Sequence, residues 1–340
     1  MRVAVYYRGG EIRVEERPKP EIGPGEFLMK VMACGICGTD VLQWYRDPQA
    51  PRVLGHEAVG VVEEVGEGVG VVKVGDRVFV SHHVPCGQCR YCIKGHETAC
   101  ETLHTSNYDP GGFSEYVRVP KINVEKGTYL LPPQLSFEEA TFIEPLGCTV
   151  RAQRLAGVGE EDTVLIIGGG VSGLLHLQLS KLRGATTVMV ADLRDYRLEA
   201  AKRFGADFAL RGGEGLPERV REILGRGADH VILCAGSTQA AEQAFKCVDR
   251  GGTILFFAVP PPDSSLSFVP AERWREEVKL MTSYGAAPRD LEEALDLLRR
   301  GRIRVKEMIT HRVGLGEIAL GFKLVAEAGE SLKVVVEPQR

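Results

Sequence analysis

Between residues 164 and 284 short apolar runs alternate with amphipathic ones. The apolar runs are Val164–Ile167, Thr187–Ala191, Phe208–Leu210, His230–Cys234, Thr253–Val259 and Lys279–Tyr284. The segments between them include helical patterns at Gly173–Arg183, Tyr196–Phe204 and Gln239–Val248. Parallel strands cannot be joined by a tight turn, and a helix between them supplies the crossover they need. The alternation therefore predicts an α/β fold with a doubly wound, six-stranded parallel sheet.

The first of these strands runs into Gly168-Gly169-Gly170-Val171-Ser172-Gly173, a G-x-G-x-x-G pattern that also opens a helix. Glycines there permit a tight turn and a close backbone approach to a pyrophosphate. The helix N-terminus adds free N–H groups and a partial positive charge. Gly168, Gly170, Val171, Ser172 and Gly173 are thus candidate cofactor contacts. Asp192 ends the second strand, at about the ~20-residue offset of a carboxylate that bonds ribose hydroxyls. A carboxylate repels a 2′-phosphate, so NAD(H) is expected over NADP(H). Arg194 and Arg197 stand close enough to work against that preference. The turn by itself also suits FAD or S-adenosylmethionine.

A second local signal is Cys86, Cys89, Cys92 and Cys100, spaced C-x2-C-x2-C-x7-C. Four thiolates can enclose one tetrahedral Zn²⁺. The loop between them carries Arg90, Tyr91, Lys94, Gly95 and His96 and has no apolar stripe, so the metal would be its core. Disulfides are disfavoured because the N-terminus shows no secretory pattern. An iron–sulfur cluster is disfavoured because the fourth cysteine follows after seven residues without a Cys-Pro. A closed four-thiolate site keeps no open position, so chemistry must come from elsewhere in the chain.

The 340 residues suggest roughly two domains. Residues 1 to about 130 read as short strands with Gly turns, a partly closed barrel, with 86–100 as an excursion. Ser136 and Glu139 form a capping-box pattern, followed by a helix through Glu144 to Leu155, kinked at Pro145. After Pro288 come amphipathic segments Leu291–Arg300 and Leu315–Ala328 and a strand Lys333–Glu337. This tail adds no crossover unit, so it is expected to rejoin the first domain. The expected division is 1–149 with 288–340, and 150–287. A net charge of −4 gives no basic field for nucleic acid or membrane. No apolar run reaches the length of a membrane span, and Met1-Arg-Val-Ala-Val runs straight into a strand. A cytoplasmic protein with reduced thiols is expected.

Cys37, His56, Glu57 and Glu144 offer a thiolate, an imidazole and carboxylates, all possible Zn²⁺ ligands. Three protein ligands leave a fourth position open. Nothing in their spacing joins residues this far apart. However, Cys37-Gly-Thr39-Asp40, Gly55-His56-Glu57, Val74-Gly-Asp-Arg-Val, the four-cysteine lobe, Gly111-Gly-Phe-Ser-Glu-Tyr, Glu144-Pro-Leu and the Gly168–Gly173 turn follow one another in this order. Over nearly its whole length the chain resembles the zinc-dependent medium-chain dehydrogenase/reductase superfamily, most of all the sorbitol (polyol) and threonine dehydrogenases.

The resemblance implies a GroES-like catalytic barrel beside a Rossmann domain, with the active site between them lined by Trp44 and Tyr45. It implies two zinc ions per chain, one catalytic and one structural. Cys37, not Cys34, is the catalytic thiolate and His56 the imidazole ligand. Glu57 is a carboxylate in or next to the shell, and Glu144 replaces a cysteine of the alcohol dehydrogenases. Asp40 orients His56, Thr39 takes the alcohol proton, and Cys148 sits near the nicotinamide. The reaction implied is hydride transfer from a secondary alcohol or polyol, ionised on zinc, to NAD. Threonine-type amino-alcohol oxidation is the alternative, and a non-catalytic NAD- and zinc-binding protein is the alternative of another class. Relatives carry a histidine five positions after the catalytic cysteine, where this chain has Leu42. His83 matches a histidine of the threonine enzymes. A homo-oligomer, dimer or tetramer, is expected through an edge at Thr253–Val259 and 271–284.

Overall fold

The computed structural model describes residues 1–340, the side chain of Glu272 excepted. The chain forms two units, Met1–Gly147 with Ala286–Arg340, and Cys148–Gly285.

The first unit is built on a seven-stranded sheet. Its order is Ile309–Gly314, Lys333–Glu337, Phe27–Gly35, Glu57–Val65, Arg77–Val80 and Thr128–Leu130, with Tyr116–Val119 also pairing Phe27–Gly35. Phe27–Gly35 is the organising strand, since three others pair with it. It is accordingly buried almost throughout, at Phe27, Leu28, Met29, Val31 and Ala33. Its pairing with Glu57–Val65 slips register twice. Such bulges bend a sheet toward closure. A smaller sheet of Ile12–Glu16, Arg2–Tyr6 and Arg52–Val53 packs Val3, Val5 and Val53 into the same core.

One expectation changes here. The helix through Glu144 is two helices, Phe137–Ala140 and Ile143–Ala156. Pro145 lies in the first turn of the second, where an N–H has no helical partner to lose, so it starts a helix and kinks none. The predicted cap is present, with Glu139 N–H donating to Ser136 Oγ at 3.1 Å and Ser136 N–H donating to Glu139 Oε2 at 3.1 Å.

The second unit is a six-stranded sheet in the order Phe208–Arg211, Thr187–Asp192, Thr163–Ile167, Ala228–Leu233, Val248–Phe256 and Lys279–Thr282. Every neighbouring pair is parallel. The chain winds outward one way from Thr163–Ile167 and then the other. The carboxyl ends of Thr163–Ile167 and Ala228–Leu233 thus flank the switch point where α/β sheets bind ligands. The fifth strand runs Val248–Phe256, earlier than Thr253–Val259. One crossover helix, Leu216–Leu224, lies outside those named from the sequence. Among the described residues no helix is long and apolar enough to cross a membrane.

Candidate metal centres and nucleotide turn

Beyond Phe27–Gly35 the chain turns, and Cys37 caps the short 3-10 turn Gly38–Val41. Its Sγ accepts the Thr39 N–H at 3.5 Å and the Thr39 hydroxyl at 3.3 Å, while Cys37 N–H donates to Asp40 Oδ2 at 3.0 Å. Asp40 is fully buried, with Arg46 Nη2 at 3.2 Å and His56 Nδ1 at 3.5 Å from Oδ1. Burial would raise the Asp40 pKa, but the charge of His56, its hydrogen bond and then Arg46 outweigh this and hold it below the usual carboxylate range. Burial likewise opposes a charged His56, yet Asp40 and then Cys37 hold its pKa well above the ordinary value. With Nδ1 turned to Asp40, Nε2 is the nitrogen left for a metal. Arg46 also donates to Thr39 Oγ1 at 3.2 Å and to Thr39 O at 3.1 Å.

One ligand atom each from Cys37, His56 and Glu57 lies within 4.8 Å of the others. A thiolate, an imidazole and a carboxylate at this separation fit Zn²⁺ with a position to spare. Among the described residues this group does not include Glu144, which is buried in the first turn of Ile143–Ala156. Glu57 is paired with Lys333, both of them buried. His82 lies with its ring 5.1 Å from His56 and 3.9 Å from His83. Burial, reinforced by neighbouring positive groups, pushes the His83 pKa down to about 3 and that of His82 well below its usual value. Both rings are neutral companions of His56.

The Sγ atoms of Cys86, Cys89, Cys92 and Cys100 also lie within 4.8 Å of one another. None of the nine cysteines forms a disulfide. The Cys89–Cys92 and Cys86–Cys92 sulfur separations are 3.5 and 3.9 Å. Sulfurs about 2.3 Å from a tetrahedral ion stand about 3.8 Å apart, so the set fits zinc. Burial first, then hydrogen bonds with its sulfur neighbours, pushes the Cys92 thiol up to about 12. Burial would also raise Cys100, but the backbone N–H groups of Cys86 and Leu103 draw it down to about 6. Four crowded thiols ionise together only around a cation.

In the second unit Gly168 has φ +110°, and a Cβ there would come 2.8 Å from the Cys234 carbonyl carbon. A Cβ on Gly173 would come 1.9 Å from Gly168 O. Gly170 caps the helix Val171–Leu182, whose first turn carries Val171, Ser172 and Gly173. Asp192 accepts Gly169 N–H at 2.7 Å and Arg194 N–H at 2.9 Å, with Arg197 Nη1 at 3.7 Å. The carboxylate thus braces the glycine turn, and Arg197 partly offsets its charge. Cys148 is partly buried and belongs to neither sulfur-containing group.

Two family models match the chain. "Alcohol dehydrogenase GroES-like domain" covers residues 23–129, and "Zinc-binding dehydrogenase" covers 172–300. An L-threonine 3-dehydrogenase of Pyrococcus abyssi is 36% identical over 96% of this chain and 94% of that protein. The chain belongs to the zinc-dependent medium-chain dehydrogenase/reductase superfamily. Within this superfamily a D-altritol 5-dehydrogenase of Agrobacterium fabrum is 34% identical, covering 98% of each chain. A Sinorhizobium meliloti protein described as a zinc-binding dehydrogenase, crystallised bound to NADP, superimposes with TM-score 0.87 at 30% identity over 99% of both chains.

For a medium-chain dehydrogenase/reductase, two polar groups around the three-donor cluster were invisible in the sequence. Arg46 reads as a surface cation in a loop, and Lys333 as the exposed start of a last strand. Their partners, Asp40 and Glu57, are settled only by folding. A basic residue opening an otherwise apolar strand is the one hint that Lys333 left.

Proposed function

We propose that the chain oxidises a secondary alcohol or polyol with NAD, or reduces the corresponding ketone with NADH. The observation that carries this is the gathering of Cys37, His56 and Glu57 donors within 4.8 Å, from residues whose spacing gives no reason for it. Zinc held by Cys37, His56 and a carboxylate of Glu57 or Glu144 would supply a Lewis acid for the substrate oxygen, and NAD bound at Gly168–Gly173 and Asp192 would accept the hydride. Thr39, fixed by Arg46, takes the hydroxyl proton. Asp40 holds His56 in one tautomer. Leu42 has no titratable group, so it relays no proton from Thr39 to solvent. A second zinc in the four-cysteine lobe is structural. The protein works as a cytoplasmic homo-oligomer, dimer or tetramer, joined at the exposed edge strand Lys279–Thr282.

L-Threonine is the second substrate class to test, favoured by the 36% identity to a threonine enzyme. A panel of polyols, simple secondary alcohols and L-threonine, each with NAD and NADP, decides between them. Two zinc ions per chain and NAD reduction on a polyol are expected. A single zinc and no turnover on any alcohol would favour a non-catalytic NAD- and zinc-binding protein.

The bracing role of Asp192 sharpens one expectation. Asp192→Ala should weaken NAD binding by about tenfold and NADP binding by less, because loss of the brace on the glycine turn weakens both nucleotides, while loss of the carboxylate also removes a bond to the NAD ribose and a repulsion of the NADP phosphate. Fluorescence titration with both nucleotides reads this. An equal loss for the two would mean that Asp192 acts only by supporting the glycine turn.

A further inference from the structure

Lys333 is the only lysine among the buried side chains described, at 2% exposure. A buried ammonium is tolerated only when paired and hydrogen-bonded. Its Nζ pairs with Glu57 Oε2, donates to Ile36 O at 3.4 Å, and lies 5.5 Å from the centre of the Phe142 ring. The pair passes over Gly35, which stands between Glu57 on one neighbouring strand and Val335 on the other. A Cβ on Gly35 would come 1.9 Å from Glu57 Oε2, 2.5 Å from Lys333 Cε and 2.8 Å from Nζ. The φ of Gly35 is not left-handed, so space, and not backbone conformation, is what asks for glycine there. Three strands thus cooperate to bring one ammonium onto one carboxylate.

That same carboxylate belongs to the group with Cys37 and His56. Glu57 therefore has two cations to choose between, the lysine and a metal. We propose that Lys333 is a positioning residue that holds Glu57 back from the metal and so keeps a coordination position open for substrate. This rests on reading Cys37, His56 and Glu144 as the protein ligands of the zinc, with Glu57 beside them as an exchangeable carboxylate. Without Lys333 the buried carboxylate has no counter-ion except the metal. It then closes the open position, binding the ion more tightly and making it less useful.

The test uses the zinc-loaded full chain, with a chelator as probe and with cobalt in place of the zinc outside the lobe. In Lys333→Met that zinc should leave at least about tenfold more slowly than in the parent. The visible bands of cobalt should change, and saturating alcohol should no longer shift them. Lys333→Arg should behave like the parent in both readouts. The double change Glu57→Gln with Lys333→Met should return zinc release to within about twofold of the parent, because neither charge remains. Folded Lys333→Met that releases zinc as fast as the parent, with unchanged cobalt bands, overturns the proposal. A double variant as slow as the single one also overturns it. Should Lys333→Met not fold, Lys333→Gln, which keeps a donor toward Ile36, carries the same readouts and the same two outcomes. A parent with two zinc ions and no response to these variants refutes only the role of Lys333. A parent holding the lobe zinc alone refutes the underlying site as well.

Discussion

Cys37→Ser is expected to lower kcat by at least about a thousandfold and to leave NAD affinity within about twofold of the parent. The thiolate is the soft donor of the group with His56 and Glu57. A serine hydroxyl at the cap of Gly38–Val41 is neutral near pH 7 and offers zinc little. The Thr39 hydroxyl would face a neutral oxygen in place of the sulfur that now accepts from it at 3.3 Å. The Gly168–Gly173 turn and Asp192, proposed to hold the dinucleotide, are other residues and have no reason to change. Steady-state rates, a metal count and a nucleotide titration check this together. Metal should fall from two ions per chain toward one. Full turnover by the variant would show that Cys37 is not a ligand of the working metal.

Cys100→Ser should have the opposite signature, with stability lost and chemistry spared. The segment 86–100 buries little of its own, for Ile93 is 75% exposed and Tyr91 45% exposed. Its short helix Arg90–Ile93 starts directly after Cys89, and Cys100 stands directly before the next helix, Glu101–Thr105. With no apolar interior, the segment would depend on a bound cation for its fold. We expect loss of one zinc, a melting temperature lower by about 10 °C, and protease cleavage within 86–100. At temperatures where the variant stays folded, kcat should remain within about twofold of the parent, since Cys37 and His56 are untouched. An unchanged melting temperature with one zinc lost would mean that the lobe is held by something other than metal.

These two outcomes also mark what could be read from the chain before folding. The lobe and the glycine turn are local. All four cysteines and all three glycines of each pattern lie on one short stretch, so spacing alone carries the geometry. The parallel sheet was legible for a related reason, because its strands follow one another with helices between. The Cys37 group was legible only through resemblance, since Cys37 and His56 come from different strand ends. The Lys333–Glu57 pair was not legible at all. Its members lie 276 residues apart, and Gly35 between them looks like any strand glycine. Pro145 misled for a simpler reason. Proline breaks a helix interior but suits its first turn, and the sequence did not show where the helix began.

The last strand, Lys333–Glu337, is inserted between Ile309–Gly314 and Phe27–Gly35. On the ribosome, the N-terminal strands therefore wait for the final residues of the chain before their sheet can close, whereas Cys148–Gly285 holds its whole sheet within one continuous stretch and can fold earlier. Until Lys333–Glu337 emerges, the end of Phe27–Gly35 at Cys34 and Gly35 lacks its partners Val336 and Val335, although Tyr116–Val119 already pairs Phe27–Lys30. Chains cut short by a few dozen residues should consequently be prone to clump, even though the nucleotide turn and every cysteine have already been made.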